Sequence, residues 1–163
     1  MPIRNAVPSD IPDILRIYEV ARETMRQSGN PTQWAGDYPG LPEAEYDIAA
    51  GTGFVIVDEQ DVAHATFMFA PGPDPTYAII EDGAWLDDEP YGVIHRIASD
   101  GQLRDVLSTA VDFCRARIPN LRIDTHEDNV IMQHVLAKKG FMRCGIIYLE
   151  TGDPRVAFQL AAC

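Results

Sequence analysis

Val93-Ile94-His95-Arg96-Ile97-Ala98-Ser99, then Asp100-Gly101-Gln102-Leu103-Arg104-Asp105, then Val106-Leu107-Ser108, is the stretch that decides how this chain folds. Its first part is a β-branched, mostly apolar run, as a largely buried strand requires. A short polar loop follows. From Leu103 the apolar residues Leu103, Val106, Leu107, Ala110, Val111, Cys114 and Ile118 recur at helical spacing and form one continuous stripe. Pro119-Asn120 turns the chain, and Leu121, Ile123 and Thr125 then alternate with Arg122, Asp124 and His126 as a strand does. The unit is therefore strand, loop, helix, strand. The first N–H groups of such a helix lack intrahelical acceptors and stand at the positive end of its dipole, which suits a phosphate-bearing ligand.

Upstream, Ile3–Val7 reads as a short strand ending at Pro8. Ser9 or Asp10 can cap a helix that carries Ile11, Ile14, Leu15, Tyr18, Ala21 and Met25 on one face, and Ser28-Gly29-Asn30-Pro31 stops it. Thr32–Leu41 is a glycine- and proline-rich loop with Trp34 and Tyr38, which either fold back as a small satellite core or wall a ligand site. Pro42–Ala50 suggests a second short helix. Phe54–Val57 and Val62–Phe69 form a hairpin through Asp58–Asp61, with His64 expected to have a local structural partner. Ala70–Pro90 is a long irregular connection, with Trp85 amid Glu81, Asp82, Asp87, Asp88 and Glu89. It reads as a solvated flap or as a rim for an ammonium group.

Downstream, Asn129 leads into a helix with Met132, Val135 and Leu136 facing inward, Lys138-Lys139 at its end and Gly140 as its cap. Phe141–Glu150 and Arg155–Leu160 complete a sheet. No linker or repeat interrupts the order βα(α)βββαβαββ, so residues 1–163 are expected to form a single domain. A chain of 163 residues can bury roughly 70% of its unfolded surface.

With 46% apolar and 23% charged residues the composition is that of a soluble globular chain. No apolar run approaches the ~20 residues of a membrane span, and the N-terminus lacks a basic-then-apolar signal pattern, so no membrane partner is expected and the cytoplasm is the default. The net charge of −12, without a Lys/Arg patch, argues against nucleic acid as a partner. It fits a solvated acidic surface or attraction of a cationic substrate such as an amine. Cys114, Cys144 and Cys163 are odd in number and widely spaced, which suggests neither a disulfide framework nor a metal site.

Ile97-Ala98-Ser99 at a strand end, Gln102 opening the loop, Asn129 starting the last helix and Gly140-Phe141 closing it resemble the GCN5-related N-acetyltransferases, the GNAT superfamily. The resemblance covers the element order of the whole chain. It implies an α/β acyl-CoA N-acyltransferase-like fold, with a mixed, mostly antiparallel sheet of about seven strands and helices on both faces. The family pattern after the strand is Gln/Arg-x-x-Gly-x-Gly/Ala. Here the glycine positions fall on Asp105 and Leu107.

The activity implied is acetyl-CoA-dependent N-acetylation of a small amine, by direct attack on the thioester without an acyl-enzyme; acetyl-CoA is the co-substrate and a homodimer stays open. The alternative is a catalytically silent GNAT-fold binding or regulatory module. The resemblance places the pantetheine along the main chain of Ile97, Ala98 and Ser99. Gln102, Leu103, Arg104, Asp105, Val106, Leu107 and Ser108 would line the diphosphate site, and Asn129 would join them. The segment between the first two strands covers the acceptor in this family, so Trp34 and Tyr38 become acceptor candidates, with Trp85 beside them. His95 is the base candidate, because it shares a strand face with Ile97 and imidazole titrates near neutrality. The alternative for His95 is a packed strand histidine. The position of the family's usual acid, a tyrosine, is Leu136, and Tyr148 is a weak substitute. With a phosphate ~5 Å away, Asp105 would oppose binding by about 1–3 kcal/mol at an effective dielectric of ~20–80. Arg104, Ser108 or Thr109 could compensate, or Asp105 could point away as a helix-start carboxylate.

Overall fold

Seven strands join in one sheet of order β1-β2-β3-β4-β5-β7-β6 in the computed structural model, which describes residues 1–162. The strands are β1 (Ile3–Asn5), β2 (Gly53–Val57), β3 (Ala63–Pro71), β4 (Gly92–Ser99), β5 (Leu121–Thr125), β6 (Met142–Tyr148) and β7 (Pro154–Leu160). The helices are α1 (Ile11–Gln27), α2 (Leu41–Ala50), α3 (Val106–Arg115) and α4 (Val130–Lys139). The pairs β1–β2, β2–β3, β5–β7 and β6–β7 are antiparallel, and β4–β5 is parallel. This is the mixed, mostly antiparallel α/β architecture that the element order implies. Two compact units carry it: Met1–Phe69 with His95–Phe113, and Ala70–Ile94 with Cys114 onward. Cys163 lies outside the described residues.

In the first unit, β2 alternates between two faces. Val55 and Val57 pack with Ile14, Ile17, Tyr18 and Ala21 of α1, Ala44 of α2, and Trp34. On the opposite face Phe54 stacks on its cross-strand partner Phe67, and both meet Phe113 of α3 edge-on. Helices therefore cover both faces of this part of the sheet. The β2–β3 register passes from Ile56–Ala65 to Val57–Ala63, so His64 is the extra residue of a bulge. The bulge turns Ala63 to the α1 face while Ala65 and Phe67 stay on the other.

Local signals place most helix ends. Gly29 (φ +83°), Gly51 (φ +71°) and Gly140 (φ +102°) follow α1, α2 and α4 in the left-handed region open to glycine. Asp10 precedes α1, but its carboxylate makes no cap bond. It accepts two hydrogen bonds from the Arg4 guanidinium at 2.8 and 2.9 Å and one from the Val7 N–H. An ion pair between neighbours in the fold has displaced the local cap.

In the second unit, Tyr77, Val93, Ile147 and Ala157 form a core against which Ile80, Trp85, Tyr91 and Leu149 pack. The long 70–90 connection is fastened to this core. Asp87 Oδ1 accepts from the side-chain amides of Asn120 and Gln159, and Gln159 Oε1 accepts from the Leu86 N–H. The Tyr77 hydroxyl, in a fully buried side chain, donates to Asp124 at 2.6 Å. The segment is thus anchored through Tyr77, Trp85 and Asp87, while Glu81, Asp82, Asp88 and Glu89 stay exposed to solvent. No helix among the described residues is long and apolar enough to cross a membrane.

Candidate active site

The stretch from β4 to α3 does not follow a single regular path. Arg96, in mid-strand, has φ +52°, and Asp105, immediately before α3, has φ +54°. Both lie in the left-handed region, which L-residues other than Gly, Asn and Asp seldom visit. The bend at Arg96 interrupts the alternation from which His95 and Ile97 share a face. Residues 101–105 form a run of bends, so α3 begins at Val106 and not at Leu103. The apolar stripe from Leu103 is real, but its first member sits in the loop.

The loop is held by side chains of its own unit. Asp100 Oδ1 accepts from the Gln102 N–H at 2.9 Å, and Ser99 Oγ accepts from the Gly101 N–H. Asp100 Oδ2 meets His64 Nδ1 at 2.8 Å and Arg16 at 3.0 Å, while His64 Nε2 meets Asp58 at 2.8 Å. The bulge at His64 thus ends in a clamp on the start of the loop. The carboxylates of Asp100 and Asp58 hold the His64 imidazole above its ordinary pKa. Burial alone would raise Asp100, but His64, the Gln102 N–H and Arg16 outweigh it and hold it low.

Asp105 is exposed, as are Gln102 and Arg104, while Leu103, Val106, Leu107 and Ser108 are half-buried. The first helical bond runs from the Thr109 N–H to the Asp105 carbonyl, which leaves the preceding first-turn amides without intrahelical acceptors. Ala98 is buried in the first unit's core, and Ile97 and Ser99 are half-buried. His95 is half-buried next to Arg96.

Trp34 is buried and packs edge-on against Tyr18, whereas Tyr38 is 44% exposed in the same unit. Trp85, Asn129 and Tyr148 belong to the second unit. The Trp85 ring packs on Tyr77 and on the Arg122 guanidinium, 4.2 Å away, and its indole N–H donates to the Tyr77 carbonyl. Asn129 caps α4 by accepting from the Met132 N–H. Tyr148, at the end of β6, is bonded to Glu81, whose carboxylate raises the phenol's pKa and keeps it protonated. Leu136 is fully buried.

The most concentrated charge in the first unit involves residues that spacing did not single out. Arg96 donates to both oxygens of Asp47 at 2.7 and 2.8 Å, and Asp47 is 5% exposed. Burial opposes the Arg96 charge, but Asp47 and the Tyr38 hydroxyl prevail and hold its pKa above the ordinary value. Burial also pushes the Tyr18 phenol up to about 12, Arg96 opposing and Asp47, Tyr38 and Glu43 adding to the rise. A signal existed for Asp47. It lies three residues after Ala44, on the inward stripe of a short helix where a carboxylate needs a partner. Among the described residues no group of three or more His, Cys, Asp or Glu is placed to hold a metal.

No protein-family model matches the chain, and no curated protein does. Solved structures do. A GNAT-family acetyltransferase from Streptococcus agalactiae 2603 is 32% identical, with 99% of this chain and 95% of that one covered and a TM-score of 0.89. A GNAT-family acetyltransferase from Listeria monocytogenes 4b F2365 shares the fold at 19% identity, 98% and 94% coverage and a TM-score of 0.71. So does a GNAT-superfamily phosphinothricin acetyltransferase from Sinorhizobium meliloti, solved in complex with AcCoA, at 15% identity, 99% and 88% coverage and a TM-score of 0.61. Shared sequence and fold over nearly the full length of the streptococcal acetyltransferase mean that this chain belongs to the GNAT family of acetyltransferases.

Proposed function

We propose that the chain transfers the acetyl group of acetyl-CoA directly to the nitrogen of a small amine. The observation that carries this reading is the left-handed backbone at Asp105, φ +54°, directly before α3. The family pattern has a glycine there. Glycine lets the backbone amides turn toward a diphosphate, and aspartate is one of the few residues able to keep that path. Asp105 holds a left-handed backbone of the kind that glycine permits, with the residue exposed, which supports a loop able to turn toward a diphosphate. The acetyl-CoA complex of the Sinorhizobium relative supports the same co-substrate.

In the transfer, the amine nitrogen attacks the thioester carbonyl, the new C–N bond forms and the C–S bond breaks. The main chain of Ile97–Ser99 pairs with the pantetheine, and a strand-end N–H there stabilises the oxyanion. His95, half-buried in β4, is the base by residue type, directly or through one water, although the bend at Arg96 removes the shared face with Ile97 that first pointed to it. A thiol of pKa near ~8.5 leaves passably as its anion, so the buried Leu136 in place of an acid does not forbid turnover. Burial pushes the Cys114 thiol up to about 12 and raises Cys144 too, so neither offers a ready thiolate for an acyl-enzyme.

The second reading, a catalytically silent GNAT-fold binding or regulatory module, is favoured by that same Leu136. Thermal melting with acetyl-CoA, CoA and no ligand tests the co-substrate. Acetyl-CoA should raise the melting temperature. No shift at millimolar concentration, in both the native chain and Asp105→Gly, would remove the basis of the transfer reading. Release of free thiol when amines are added then separates an enzyme from a module.

A further inference from the structure

One donor and one acceptor in the Arg96 cluster remain unused by the fold. Arg96 spends one terminal nitrogen on Asp47, yet its Nε is buried with no hydrogen-bond partner. Glu43 lies one turn before Asp47 on α2, and its Oε2 is likewise buried with no partner. Tyr18 feels the charge of both residues, together with Asp47 and Tyr38. Buried polar atoms are nearly always paired, and those that are not mark places where a ligand or water completes the set. The left-handed backbone at Arg96 adds a further sign, because such conformations persist mainly where surrounding contacts impose them and gather at functional sites.

Resting on the acetyl-transfer reading, we propose that this cluster selects the acceptor: a monocationic amine with a neutral hydrogen-bond acceptor, a carbonyl or hydroxyl, beside its amino group. The ammonium meets Glu43 Oε2, and the neutral oxygen accepts from Arg96 Nε. Charge decides against a zwitterionic amino acid. Arg96 and Asp47 cancel, so Glu43 leaves the cluster with one negative charge. A monocation neutralises it, whereas a zwitterion leaves it in place and sets a second carboxylate against a guanidinium already held by Asp47. A plain alkylamine would leave Arg96 Nε unpaired. The net charge of the chain, −12, biases approach in the same direction.

The test measures kcat/KM by thiol release for the amides of common amino acids, the free amino acids, and the alkylamines that lack the carbonyl. The best amide should exceed its free acid and its alkylamine by at least tenfold each. Glu43→Gln makes the cluster neutral and should lower the amide-to-acid ratio at least fivefold. Arg96→Lys keeps a cation for Asp47 but removes Nε, and should lower the amide-to-alkylamine ratio. Ratios on one protein are insensitive to the fraction folded. Equal use of amide and acid, an unchanged ratio in Glu43→Gln, or acetyl-CoA binding with no amide turned over would overturn the assignment. Titration calorimetry of amide against acid on the chain alone reads the same preference without acetyl-CoA. Failure to bind acetyl-CoA therefore counts against the transfer reading, and equal affinities count against this one.

Discussion

Replacing Asp105 separates charge from backbone at the point where the chain departs from its family. Asp105 is exposed and its φ is +54°. With a phosphate ~5 Å away, exposure places the repulsion at the high-dielectric end of Coulomb's law, about 1 kcal/mol per phosphate charge. That is roughly fivefold in affinity. Asp105→Asn removes the charge and still tolerates the left-handed region, so it should tighten acetyl-CoA binding by about that factor at low salt, less at high salt. Asp105→Gly also removes the Cβ and should tighten binding at least as much. Its effect on stability is small, because relief of left-handed strain offsets the extra entropy of glycine in the unfolded chain, each on the order of 1 kcal/mol. Asp105→Ala removes the charge but forces alanine into the left-handed region, at a cost of about 1–2 kcal/mol. Calorimetric titration with acetyl-CoA and urea unfolding of the three variants provide the assay. If Asn and Gly both leave affinity unchanged at low salt, the carboxylate is not near a phosphate. If Ala is as stable as the native chain, the loop does not hold its left-handed path in solution.

His64→Gln should destabilise the chain more at pH 6 than at pH 8. The imidazole's raised folded pKa means that its contribution is full below the unfolded value near 6.5 and is lost as pH rises through the folded one. The lowered carboxylates of Asp58 and Asp100 act at the other end, losing their contribution as pH falls through their depressed values. Urea midpoints against pH for the two proteins check this, and a constant difference would mean that His64 does not titrate with folding. His95→Gln should lower turnover about 10²-fold with acetyl-CoA affinity nearly unchanged. Full activity would leave His95 as a packed strand residue. Tyr77→Phe removes the hydrogen bond that the buried phenol donates to the half-buried Asp124 carboxylate and should cost about 1–3 kcal/mol by chemical denaturation. A neutral effect would show that water replaces the phenol.

The order of elements was legible because each announces itself within a few residues. Period-3.6 stripes mark α1 and α3, glycines follow α1, α2 and α4, Asn129 caps α4, and alternation runs through β5. These signals depend on local sterics and backbone hydrogen bonds, so neighbouring residues suffice to set them. The glycine-to-aspartate departure at 105 was visible too, but not that Asp105 adopts a glycine-like φ. The bulge at His64 exists because Asp58 and Asp100 approach it from both sides, and α3 starts late because residues 100–105 are tied to that clamp. Arg96 meets Asp47 across 49 positions, and Gln159 reaches Asp87 across 72. No periodicity carries such pairings. Burial raises the cost of each unpaired charge or amide, and only the folded chain brings together the partners that satisfy it.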